Sequence, residues 1–122
     1  MFRLDPKPSF WLTVLIPEAG GEGQRMRAEF CYMTLEEYKA HFMVMARKPV
    51  AEFLTPGSIG ERGLLIGWAT TDAEDGSYLG MPEAFSAEAV ARLVNAFPRA
   101  GQALVDAYRA EMFTGVSPAL GN

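Results

Sequence analysis

The chain has 122 residues, 49% of them hydrophobic, with a formal net charge of -4, a pI near 5.0 and a mean hydropathy of +0.03. This is enough for one domain with a real core, spanning 1–122 with 116–122 as a flexible tail. The 11 basic residues are spread out rather than clustered, which leaves no electrostatic footprint for nucleic acid. Apolar runs such as Phe10 to Ile16 are far too short to span a bilayer, so no membrane association is expected. A lone Cys31 cannot close an internal disulfide, and no basic-then-apolar leader opens the chain. The expected location is cytoplasmic.

Behind the stiff Asp5-Pro6-Lys7-Pro8 lead-in, Phe10, Leu12, Val14 and Ile16 alternate with Trp11, Thr13 and Leu15, the period of a strand. Pro17 halts it and Glu18 to Gly23 reverses the chain. On the return, Met26, Ala28, Phe30 and Tyr32 share one face, and Arg25, Arg27 and Glu29 the other. A β-hairpin with one apolar face follows, and that face needs a cover.

Thr34-Leu35-Glu36-Glu37 predicts a capping box, with Met33 and Tyr38 placed as a hydrophobic staple. Leu35, Tyr38, Phe42 and Met45 then form the apolar stripe of a helix. Glu36 and Glu37 at its start, with Arg47 and Lys48 at its end, complement the dipole, and Pro49 ends or kinks it. Periodicity does not separate helix from strand over Ile59 to Trp68. Asp72 to Gly80 reads as an acidic surface loop.

Ser86 caps a helix whose Val90, Leu93, Val94 and Phe97 recur at helical spacing, with Phe85 placed to staple Val90. Pro98 suits the first turn of a second helix carrying Ala100, Ala103, Leu104, Ala107, Tyr108 and Met112. Thr114-Gly115 stops it. The expected fold is α+β: an N-terminal β-hairpin packed with three to four helices, the two C-terminal ones forming an αα-hairpin.

No group of residues suggests catalysis. His41 is the only histidine, and with one cysteine it has no companions for a triad or a zinc site; it reads as a partly exposed helix residue. Nothing near Cys31 beyond Arg27 at strand spacing lowers its pKa. Gly20-Gly21-Glu22-Gly23 precedes a strand rather than a helix, which a phosphate loop does not. Asp72 to Gly76 puts its glycine out of register for a calcium loop. The paired acids Glu36/Glu37 and Glu74/Asp75 serve a helix start and a turn. No catalytic residue, cofactor or metal ligand is expected.

Taken in order, several short motifs resemble a family. They are Pro8-x-Phe10 leading into a strand, a Gly-rich turn, a return strand ending at Phe30 and Tyr32, and the Thr34-x-Glu36-Glu37 helix start. Gly67-Trp68 to Asp72 follows, then Phe85-Ser86-x-Glu88, Phe97-Pro98, and Ala107-Tyr108 ahead of a short tail. The chain looks like a small tail assembly chaperone of long-tailed bacteriophages, prophages or gene-transfer particles. It departs from that pattern in a long Trp68-to-Phe85 interval, and Gly60 and Gly63 break the helix expected by analogy over Ile59–Ile66.

The resemblance implies a non-catalytic role in the bacterial host cytoplasm: coating the tape measure protein, recruiting tail tube protein, and self-association. It marks Trp68, Phe85, Phe97 and Tyr108 as contact candidates, to which the adaptable methionines add Met43 and Met112. For Trp68 the favoured reading is a core anchor with its indole N–H satisfied at the rim, the alternative an interface anchor. A different reading is a minor tail or head–tail joining protein that stays in the virion.

Overall fold

The computed structural model describes residues 1–45, 54 and 63–114. Strand β1 (Ser9–Ile16) pairs antiparallel with β2 (Gln24–Cys31), and β2 pairs antiparallel with β3 (Leu65–Trp68), giving a sheet of order β1-β2-β3. The expected hairpin is therefore two thirds of a three-stranded sheet. The register sets Phe10 against Phe30, Leu12 against Ala28 and Val14 against Met26 on one face. Trp11 opposite Glu29, Thr13 opposite Arg27 and Leu15 opposite Arg25 line the other. Because side chains alternate along a strand, the apolar set falls together as its period-two spacing predicts, with Val14, Met26, Ala28 and Phe30 buried and Phe10 and Leu12 partly buried.

The solvent face carries polar rungs. The Ser9 hydroxyl donates to a Glu29 carboxylate oxygen at 2.7 Å, and an Arg27 guanidinium nitrogen donates to the Thr13 hydroxyl at 3.1 Å. β3 is where the helix expected by analogy over Ile59–Ile66 fails for Leu65 and Ile66. Its pairing partners, Trp68 to Ala28 and Leu65 to Phe30, lie far away in sequence, and a bulge sits between Glu29 and Phe30. Residues 59–62 lie outside the described residues.

Helix α1 (Leu35–Met45) starts with the predicted capping box. The Glu37 N–H donates to the Thr34 hydroxyl and the Thr34 N–H to a Glu37 carboxylate oxygen, both at 3.1 Å. The proposed stripe needs two corrections. Leu35 is 57% exposed, whereas His41 is buried at 6%. The inward line at this end of α1 runs through Tyr38 and His41, because Tyr38 stacks toward Tyr108 at 6.4 Å. Arg47, Lys48 and Pro49 lie outside the described residues.

Helix α2 (Ala87–Ala96) and helix α3 (Ala100–Arg109) follow. Pro98 lies in the turn before α3, just ahead of its cap Arg99, rather than within the first helical turn. α3 is extended by a π-helical turn, Ala110–Thr114. The two helices are consecutive but touch only lightly; α3 packs mainly across β1. The 116–122 tail lies outside the described residues.

Tyr108 stands at the centre of the core, fully buried against Phe10, Phe30 and Tyr38, with ring centroids 5.6, 5.6 and 6.4 Å away. Burial pushes its phenol well above the usual range. Desolvation raises Tyr38 as well, opposed by the nearby Arg109 charge. Tyr38 also lies 4.4 Å from Phe113, whose side chain is 41% exposed.

Candidate functional site

A groove of about 380 Å³ opens between α2 and the segment Leu79 to Glu83, floored by Ile16 and Met26 of the sheet. Each wall has a local cause. Ser86, in extended backbone, accepts the Ala89 N–H on its hydroxyl at 3.0 Å and so sets where α2 begins. With that start, Ala89, Val90 and Leu93 turn inward, and Arg92, Ala96 and the half-buried Phe97 come to the groove's side.

The other wall is tied down by backbone. The Leu79 N–H donates to the Arg25 carbonyl at 2.8 Å, and the Met81 N–H to the Ala69 carbonyl at 2.8 Å. An isolated bridge joins Leu79 to Met26. The acidic stretch before this wall is a closed turn rather than a loose loop. Asp72 accepts the Gly80 N–H at 2.7 Å, and Asp75 accepts the Ser77 N–H at 3.0 Å; hydrogen bonding from the Ser77 side chain first, and from its N–H second, holds the Asp75 carboxyl below its usual range. Both carboxylates thus serve the turn.

The groove is apolar inside with a charged rim. Leu79 is 48% exposed at its lip, while Met81, Pro82 and Leu93 line it. Arg25 and Gln24 stand at one side. Across from them, the Arg92 guanidinium donates to the Glu83 carboxylate at 2.7 Å, which raises the Arg92 pKa. The Glu83 backbone carbonyl accepts the Trp68 indole N–H at 2.9 Å.

The structure scatters the residues singled out from sequence. Trp68, 6% exposed, and Tyr108 lie in the core; Phe85 is half-buried, edge-on to Trp68 with centroids 5.2 Å apart. Among the described candidate side chains, only Phe97 lines the groove. Met112 packs partly buried against the core, and the Met43 side chain lies outside the described residues. Sequence reasoning missed Leu79, Met81, Leu93 and Arg92 as site residues. The available signal was Met81-Pro82, an apolar pair following directly on an acidic turn.

Reactive groups do not converge there. Burial lowers the His41 pKa, and the imidazole sits on α1, outside the groove lining. Cys31 is 2% exposed within the sheet. Among the described residues, no group of three or more His, Cys, Asp or Glu side chains is placed to hold a metal ion. No described helix is long and apolar enough to cross a membrane.

An apolar trough with one exposed leucine and charged edges has the form that takes the apolar face of a polypeptide segment. Residues 79–116 match the family model of phage tail assembly chaperones. The match supports the likeness drawn from the order of short motifs, and with it a chaperone role in tail assembly. No curated protein and no solved structure matches the chain. The matched stretch takes in the Leu79–Glu83 wall, α2 and α3, and leaves out the sheet floor and Trp68. Phe85, Phe97, Tyr108 and Met112 fall within it.

Proposed function

We propose that the chain is a non-catalytic chaperone of tail morphogenesis in the host cytoplasm, holding a helical segment of the tape measure protein in the groove beside α2. It also helps bring tail tube subunits to that complex. The observation that carries this reading is that both upper walls of the groove lie in the stretch matching the chaperone family. An amphipathic helix laid in such a trough buries its apolar face on Met81, Leu93 and Phe97, while its flanking charges meet Arg25, Glu83 and Arg92. The acidic net charge keeps the complex soluble.

Co-expression with the tape measure protein tests this. The expected result is a soluble complex that co-purifies, and a loss of co-purification in Leu79→Asp, a change at a half-exposed side chain, with circular dichroism matching the wild type as the check on its fold. Client capture that is indifferent to Leu79→Asp would remove the groove from the mechanism. Mass spectrometry of finished particles separates the second reading: a chaperone is absent, whereas a minor tail or head–tail joining protein remains.

A further inference from the structure

The sheet ends differently on its two sides. On one, β3 has four residues, a bulge interrupts its pairing with β2, and the Leu79 segment covers part of β2. On the other, β1 presents eight residues without a charge, a proline or a bulge. The Tyr32 N–H donates to the Pro8 carbonyl, so the even-numbered residues of β1 turn their backbone toward β2. Ser9, Trp11, Thr13 and Leu15 turn theirs outward, and among the described residues no backbone hydrogen bond reaches those groups.

The edge is also unfinished on its core side. Phe10 and Leu12 face the helices yet are only partly buried, whereas Phe30 and Ala28, their partners on β2, are fully buried. A strand beside β1 would close that row as β1 closes it over β2.

At its C-terminal end the same edge opens into a second groove, about 500 Å³, between β1 and α3. Val14 and Ala103 form part of its wall, with Glu18, Glu22, Asp106 and Arg99 around them. Three carboxylates thus stand against one guanidinium, and among the described residues no ion pair engages any of the three. The amides that reach Glu18 and Asp106, from Gln24 and Gln102, are neutral.

We propose that this edge takes an extended strand of a partner protein that carries a lysine or arginine opposite Val14. In a strand hydrogen-bonded to Thr13 and Leu15, that residue lies on the α3 side of the sheet, as Val14 does. Its methylenes cover Val14 and Ala103 while its charge reaches the carboxylates. The next residue on the same face meets Leu12 and is apolar, which closes the row. Charge decides against a second β1 as the occupant, because β1 has no cation to offer. The site is separate from the groove beside α2, and its occupant is a strand rather than a helix.

The test uses the whole chain and a fluorescein-labelled peptide of alternating threonine and valine with a central lysine, read by fluorescence anisotropy. The expected result is saturable binding in the micromolar range, lost when the lysine is replaced by glutamate or when the amides facing β1 are N-methylated. Thr13→Pro abolishes binding, and it costs no bond to β2 because the Thr13 N–H points outward. Glu22→Lys and Asp106→Lys each weaken it about tenfold. Circular dichroism checks that the variants keep their fold; if Thr13→Pro does not, the N-methylated peptide makes the same test from the other side. Leu79→Asp binds the peptide as the wild type does, so the reading of the α2 groove stands or falls separately. No binding of the lysine peptide, equal binding of the glutamate or N-methylated peptide, or unchanged affinity in the natively folded variants overturns the proposal. Loss of binding in Leu79→Asp also overturns it, by seating the peptide beside α2. So does a wild-type dimer that Thr13→Pro dissociates while the lysine peptide fails to bind, which gives the edge to a second copy.

Discussion

Trp68 and Glu83 are joined by a 2.9 Å bond from the indole N–H to the backbone carbonyl, and this bond carries the sheet's order into the groove wall. Glu83 uses its side chain in the opposite direction, toward Arg92 on α2. One residue thus connects the last strand of the sheet, the Leu79–Glu83 segment and the helix across from it.

The two bonds differ in weight. Trp68→Phe keeps most of the ring but leaves the Glu83 carbonyl without its donor, and costs about 1–2 kcal/mol in a urea melt. Trp68→Ala also loses the packing on Phe85 and costs about 3–5 kcal/mol. Arg92→Ala breaks an ion pair whose side chains are 62% and 40% exposed, and leaves the melt essentially unchanged. Client affinity is expected to follow the same order, Trp68→Ala losing most. An Arg92→Ala variant as unstable as Trp68→Phe would contradict this ranking.

Gly80 is held by space rather than by dihedral angle. A Cβ there would stand 2.5 Å from the Thr70 carbonyl carbon and oxygen and 2.6 Å from the Thr71 nitrogen, all backbone atoms. Gly80→Ala therefore moves the groove wall and costs about 1–3 kcal/mol, toward the upper end. Gly76 is the internal control: its φ of +76 strains an alanine, but nothing lies within 4 Å. Gly76→Ala is expected to cost about 1 kcal/mol and to leave client binding unchanged. Reversal of the two costs in thermal melts would sink this account.

Local chemistry was legible in the sequence, and pairing over distance was not. The β1–β2 alternation, the Thr34–Glu37 box and the Ser86 cap each involve residues close in the chain or a simple period, and all appear as read. β3 escaped because four residues including Gly67 carry no period, and only Ala28 and Phe30 make them a strand. His41 escaped for a similar reason: which side of α1 turns inward depends on Tyr108, far along the chain. The groove wall at Leu79–Glu83 is created by bonds to Arg25 and Ala69, so its sequence reads only as the end of an acidic turn.

The Ser86 cap sets the register of the helix that lines the groove. Ser86→Ala frees the Ala89 N–H and costs about 1 kcal/mol of stability, while Ser86→Asp retains it. The client effect is expected to exceed the stability effect, because fraying of the first turn displaces Ala89 in the groove lining. Equal client affinity for Ser86→Ala and wild type, measured by titration well below the melting temperature, would argue that the first turn plays no part in binding.

His41 gives the fold a pH dependence of definite sign. Burial lowers its folded pKa below the ordinary imidazole value of about 6.5, so the unfolded chain binds the proton more readily. Stability from the neutral imidazole is fully present above pH 6.5. It declines as pH falls from there and is lost once pH passes below the folded pKa. Urea melts between neutral and mildly acidic pH are expected to show this loss, with the slope reduced in His41→Gln, which has no proton to gain. Carboxylates contribute at lower pH in both proteins, so the difference between the two curves is the quantity to read. A wild type and a His41→Gln variant with parallel curves across that range would show that the imidazole is not held neutral by burial.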